Sequence, residues 1–508
     1  MSFSKLFQKR TGKISFESLK DSKFFAQEIS GYDLFYQLTY MSAIAGGGIT
    51  RDKLFELSAQ LPPAPAQYFG AIYSLHNDLR YNYADACRKV GEPLHTEKLR
   101  SLLLRFSDAL TSGEPEEAFL TQEAQVQAGV YENEYERDLS GLTKWTDAYA
   151  SIIISSSLIV IINLVSTMIY KMGTGLMAGL LLIAVATSVL GAWVLSRAAP
   201  KEIRVLFSKE EGPRYQRLAR QLVKILPPIA LVICALLALL GAEMGWILIV
   251  AALIVFPLGV VSNMGDSRIN KKDGEIGSFL RSLGSMASTT STTTTDALNK
   301  IDLSPFPSLR PEAEKLRRRL NAGILTRLCW RKFRLEMGSK LAYETIGIFR
   351  DAVDLGADPG TAGRLCSQFA EKTITLRDKR KVTTGVFTWL TVIMHGTVGG
   401  LMIIILDVIA RFLEIIQTAI PTGQEGAGAM ATMASSVPLL SFSTPEIQLL
   451  RGMTIGMVLL LTITNAFAIM SADGGHILKI SFYLSLLLFV TGLGFIFLPP
   501  VIGSLMPT

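Results

Sequence analysis

Long apolar runs separated by polar, helix-periodic stretches dominate the 508-residue chain. A spanning helix needs about 20 mostly apolar residues, because hydrocarbon offers the backbone no outside hydrogen-bond partners. Seven stretches meet this requirement, at 150–170, 175–195, 225–241, 246–262, 384–410, 450–470 and 480–500. The fifth is the longest and carries His395 in mid-span and Asp407 near its end. Gly175/Gly179 and Gly396/Gly400 stand at the GxxxG spacing of close helix pairs. Pro227–Pro228 and Pro257 mark expected kinks.

The polar stretches are also helical in pattern. Residues 31–60 predict two helices broken at Ala45-Gly46-Gly47-Gly48 and restarted at Thr50-Arg51-Asp52. Pro62, Pro63 and Pro65 end the second, since proline cannot donate within a helix. Leu99, Leu102, Leu103, Phe106 and Leu110 keep a helical period up to Gly113, and Pro115-Glu116-Glu117 opens the next helix. No polar segment alternates at period two, so the chain reads as all-α.

A second polar segment, 264–383, repeats this plan. Phe106, Asp108, Gly113 and Pro115 find counterparts in Phe349, Asp351, Gly356 and Pro359, at an offset of 243 with one extra residue before the second proline. Upstream, Leu34, Leu38 and Met41 align with Phe279, Leu283 and Met286 at an offset of 245. The pattern predicts two related helical bundles. The division is an N-terminal region 1–149 with its first bundle from about 31, four spans over 150–262 with a basic loop 197–224, a second bundle at 264–383, and three spans over 384–508 with an outer loop 411–449.

Composition agrees with a membrane protein. Apolar residues make up 49% and charged residues 18%, where a soluble chain is nearer a quarter charged. The net charge of +7 is small for this length, so no nucleic-acid partner is expected. Lysines and arginines set the orientation. A cytoplasmic N-terminus places 16, 8 and 22 of them in the inner segments 1–149, 197–224 and 264–383, and leaves only Lys171 and Arg411 outside. The expected place is the cytoplasmic membrane, with several passes.

The stretch Leu103 to Glu117 resembles the helical F domain of type II secretion and type IV pilus platform proteins. The second copy, Ser278–Ser285 through Phe349–Gly356, is similar to the same domain in archaeal members, among them the archaellum platform (FlaJ/ArlJ-like) family. The resemblance covers roughly 31–410. It implies a polytopic membrane protein with a duplicated F domain and a non-enzymatic role without cofactor or metal. It further implies a hexameric secretion-type ATPase and archaellin or pilin subunits as partners, with membrane lipids around it and a homodimer as the working form. Filament assembly, and rotation in archaella, would be the output.

The residues by themselves fit that role. No GxxxxGK[ST] cradle, HExxH or GxSxG occurs, and the four cysteines share no metal spacing. Segment 264–383 holds 22 basic and 14 acidic residues. Lys315, Arg317, Arg318 and Arg319, with Arg331, Lys332 and Arg334, are the candidates for docking an acidic partner, against a plain solvated helix surface. Arg377 to Lys381 lies next to a span, and the expectation there is anchoring on anionic lipid. Asp108 and Asp351 lack a neighbouring base or metal site and are expected to be structural. His395 and Asp407 raise transport as the rival function. Twelve residues, about 18 Å of helix, separate them, and a satisfied histidine is the expectation.

Overall fold

The computed structural model describes residues 29–62, 64–169, 174–206, 212–419 and 444–505. Among them the fold is all-α, and the sole β feature is a bridge between Val205 and Ser339. The chain forms two compact units. One takes the described residues up to Arg137, with Ile203–Arg217 and Asp266–Asp378; the other takes Asp138–Glu202, Leu218–Gly265 and the rest from Lys379.

In the first unit α1 (Gly31–Ala45), α2 (Arg51–Ala59), α3 (Ala66–Leu79), α4 (Tyr83–Gly91) and α5 (Glu97–Ser112) lead into α6 (Glu116–Ile169). After the end of α9 (Met244–Thr289) come α10 (Thr294–Lys300), α11 (Arg310–Asn321), α12 (Thr326–Met337) and α13 (Lys340–Asp354), which lead into α14 (Pro359–Ala419). Local chemistry sets the same stops in both series. Thr50 caps α2 by accepting from the Lys53 amide at 3.3 Å, and Thr293 caps α10 by accepting from the Asp296 amide at 3.2 Å. Left-handed residues fall at Gly48 and Ser291, Arg80 and Gly323, and Gly113 and Gly356. Each of these three pairs, like Thr50 and Thr293, is 243 residues apart.

Both series contribute to one continuous core. Helix α1 is buried at 12 of its 15 positions, so it lies inside this core rather than on its surface. Phe369 of α14 meets Tyr32, Phe35 and Tyr36 of α1 at ring distances of 5.7, 4.9 and 6.0 Å.

The second unit carries the spans. Among the described residues, seven helical segments are long and apolar enough to cross a membrane: Glu116–Asn163, Ala178–Ala198, Arg214–Leu239, Met244–Thr289, Pro359–Phe412, Arg451–Asp473 and Ile477–Ser504. They lie in α6, α7 (Thr174–Ala198), α8 (Arg214–Leu239), α9, α14, α15 (Thr444–Asp473), and α16 (Ile480–Leu505) with the 3-10 turn before it. The chain is therefore an all-α, multi-pass membrane protein. Helix α8 runs on through Pro227–Pro228 and α9 through Pro257. The most apolar stretch of Arg451–Asp473 is 56% buried by protein, and that of Arg214–Leu239 only 6%. Leu231, Val232 and Leu239 of α8 are accordingly exposed on the protein surface.

Of the glycines anticipated at close helix contacts, Gly396 and Gly400 pack against a neighbouring helix, and further glycines do so more closely. A Cβ on Gly396 or Gly400 would touch Val490 or Leu498 at 3.3 and 3.5 Å. A Cβ on Gly179 would meet nothing within 4 Å among the described residues, and the surroundings of Gly175 lie outside them. Within the span-bearing unit, closer approaches occur at Gly259, where a Cβ would meet the Phe482 Cα at 2.5 Å, and at Gly245 and Gly492, 2.7 Å from Ile496 and Ile249. The loop 411–449 falls largely outside the described residues.

Candidate functional site

Helix α11 buries Ala313, Leu316 and Leu320. That stripe turns Lys315 and Arg318 outward, with Arg317 half-buried beside them. Arg319 instead holds Glu336 of α12 with two hydrogen bonds of 2.9 and 2.6 Å. Helix α12 buries Cys329, Trp330, Phe333 and Met337, which leaves Arg331 and Lys332 exposed. Arg334 points inward. Its Nε donates to the Tyr343 carbonyl at 2.9 Å, and its guanidinium lies 3.9 Å from the centre of the Tyr343 ring. Four of the seven basic candidates, Lys315, Arg318, Arg331 and Lys332, are therefore exposed and Arg317 is half-buried, while Arg319 and Arg334 are held by partners within the fold.

The repeat positions divide in a similar way. Phe106 and Phe349 are both buried, stacked on Phe55 and Phe119 in one series and beside Trp330 in the other. Gly113 and Gly356 have φ of 77° and 94° and stop α5 and α13. Pro115 precedes α6 and Pro359 is the first residue of α14. Asp108 is exposed and lies 3.2 Å from Arg88. Asp351 is more enclosed and accepts from the Tyr40 hydroxyl at 3.4 Å. Burial raises its pKa against the pull of Arg334 and Arg350. Neither aspartate faces a nucleophile or a metal group, and no metal-binding cluster occurs among the described residues.

The lipid-anchoring expectation for Arg377 to Lys381 needs correction. Arg377 makes a 2.6 Å ion pair with Asp273, their side chains 7% and 1% exposed. Arg380 is fully buried and donates to the carbonyls of Ala472, Pro200 and Ser471 at 2.9, 2.9 and 3.2 Å. Only Asp378, Lys379 and Lys381 of this run are exposed. A helix sends positions three apart to one side, so a run of charges divides between interior and surface.

A further buried charge group joins the two series. Lys340 lies 3.5 Å from Asp33 and 3.6 Å from Glu344, and the Tyr32 hydroxyl donates to Glu344. Burial raises the Glu344 pKa despite Lys340. For Lys340, burial works toward a lower value but the two carboxylates outweigh it, and its pKa is raised. Sequence reasoning missed this group, because only the fold brings Asp33 next to Lys340.

Within the spans, His395 is satisfied on both ring nitrogens. Nε2 contacts Thr491 Oγ1 at 2.9 Å and Thr462 Oγ1 at 3.3 Å, and Nδ1 contacts the Asn465 amide at 3.1 Å. Tyr149 donates to Asn465 at 2.8 Å. Asp407 pairs with Arg411 one turn on, at 2.8 Å. The histidine thus has uncharged partners and the aspartate an adjacent base, which weakens the case for an ion relay.

Among curated proteins, the chain is similar to Flagella accessory protein J of Methanocaldococcus jannaschii, at 24% identity over 418 residues, 80% of this chain and 72% of that one. It is also similar to Flagella accessory protein J of Methanococcus voltae, at 21% over 421 residues, 80% and 73% of the two chains. No family model and no solved structure matches.

Proposed function

We propose that this FlaJ-like chain is the membrane platform of an archaellum assembly machine. The observation that carries the reading is a similarity covering four fifths of the chain, through both the spans and the helical unit. In this reading the spans lie in the cytoplasmic membrane with the N-terminus inside. The first unit, read as a duplicated F domain, then stands in the cytoplasm. A hexameric secretion-type ATPase docks on the outer face made by Lys315, Arg317, Arg318, Arg331 and Lys332, and archaellin subunits are handled at the span-bearing unit. The role is mechanical and non-enzymatic, with a homodimer as the working form and rotation as a further output. Archaellum is preferred over pilus because both relatives are named as flagella accessory proteins.

Disruption of the gene in its native host, followed by electron microscopy of surface filaments, tests the role. Loss of archaella with pili retained, restored by the intact gene, is expected. Normal archaella would overturn it. ATPase docking is tested with purified full-length protein at low and moderate salt. Lys315→Glu, Arg318→Glu, Arg331→Glu and Lys332→Glu together are expected to abolish salt-sensitive binding.

A further inference from the structure

The turn between α11 and α12 breaks two local rules at once. Ile324, Leu325 and Leu328 stand 47%, 65% and 51% exposed around it. Helix α12 starts at Leu325 in the N-cap position, and no side chain caps it. Leucine is among the poorest residues there, since it offers no oxygen to the first free amides.

The chain supplies its own control. The corresponding turn 243 residues earlier, between α3 and α4, is Arg80, Tyr81, Asn82 and Asp85 where this one has Gly323, Ile324, Leu325 and Leu328. There Asn82 caps α4 by accepting from the Ala84 amide at 2.7 Å, and the Tyr81 hydroxyl accepts from Lys89 at 2.8 Å. One turn is closed with polar side chains, and the other presents three aliphatic ones. Local rules tend to fail where function takes over.

Charge indicates what covers the tip. From Lys315 to Arg334 the chain has eight basic residues and no acidic one. Arg327, Arg331 and Lys332 are exposed around the tip, with Lys315 and Arg318 on the neighbouring helix. Buried anchors inside a charged rim are the usual division of labour in a protein interface, the anchors setting dissociation and the rim steering approach.

We propose that Ile324, Leu325 and Leu328 form an aliphatic knob that lodges in an apolar depression on an acidic protein partner, with Arg327, Arg331 and Lys332 as its rim. Naming that partner as the secretion ATPase rests on the platform reading. The chemistry of the surface does not.

The test uses full-length protein in nanodiscs and the secretion ATPase of the same genome. Leu325→Asn with Leu328→Ser removes the knob while installing the cap found at Asn82, so the helix is not weakened. Binding is expected to fall about tenfold or more, with the thermal midpoint unchanged or raised and the salt dependence kept. Arg327→Glu with Lys332→Glu is expected instead to slow association and flatten the salt dependence. Equal binding by the leucine variant overturns the knob and leaves the platform reading standing. No binding by the unaltered protein overturns the secretion ATPase as the occupant. A fluorophore on Leu328→Cys reports the occupant: a blue shift on adding the ATPase is expected. A blue shift from anionic lipid alone assigns the tip to the membrane surface and overturns the protein partner.

Discussion

The Arg377–Asp273 pair offers a quantitative test of how the first unit is held together. Its two side chains are almost fully enclosed and 2.6 Å apart. Removing one partner from such a pair leaves a charge in a medium that solvates it poorly, at a cost of about 3–5 kcal/mol. Replacing both with apolar residues of similar volume is roughly neutral, because desolvation of the pair offsets most of its attraction. Arg377→Met and Asp273→Leu should therefore each destabilise strongly, and the double variant should recover most of the loss. Buried Cys87 and Cys366 supply the readout, since a thiol-reactive dye labels them only when this core opens. At roughly 2–4 °C per kcal/mol for units of 150–250 residues, each single change should lower the midpoint by about 6–20 °C. A single change costing under about 1 kcal/mol would refute the burial argument. Additive losses in the double variant would refute the coupling between the two residues.

Three other outcomes follow from the same structure. A Cβ on Gly284 would sit 2.1 Å from the Pro359 carbonyl oxygen, while one on Gly274 in the same helix meets nothing within 4 Å. Gly284→Ala should cost about 1–3 kcal/mol and Gly274→Ala should gain roughly 0.5–1 kcal/mol, both read by the same dye assay. Burial, assisted by Arg220, lowers the pKa of His476 to about 4, whereas an unfolded histidine takes its proton near 6.5. The unfolded chain then binds the extra proton between those values, so stability is full above about pH 6.5 and is lost as pH falls toward about 4. His476→Gln should flatten that part of the thermal stability profile. Thr491→Val removes one hydroxyl from the His395 cluster, and about 0.6–1.7 kcal/mol should be lost from the spans, measured by denaturation in mixed micelles.

Much of this fold was legible because its signals are local. The restart at Thr50, the glycine stops at Gly113 and Gly356 and the uncharged apolar runs each act within a few residues. Side-chain direction was harder to read. Arg319 and Arg334 look like their exposed neighbours Arg318 and Arg331 until Glu336 and Tyr343 are brought to them. Arg377 and Arg380 mislead in the same way. The knob escaped notice for the opposite reason: isoleucine and leucine beside a helical period are expected inside, so exposure is their only signal. The spacing of Gly175 and Gly179 was equally uninformative, since Gly179 meets no partner helix among the described residues.

The two series differ in what each presents. Helix α1 is enclosed on nearly all sides, whereas the matching end of α9 buries only a stripe that includes Ile276, Phe279, Leu280, Leu283 and Ala287. The reverse holds at the third helix. Where α3 has Ile72 and Leu75, both buried, α11 has Lys315 and Arg318, both exposed. A charged side chain could not replace Ile72 without an uncompensated burial cost, so the basic face could arise only in the series whose third helix reaches the surface there. The first series supplies the central helix of the shared core, and this frees the second to carry a surface that adds nothing to packing. Changes at Lys315, Arg318, Leu325 and Leu328 should therefore alter association and leave folding untouched, whereas changes at Ile72 and Leu75 should do the reverse.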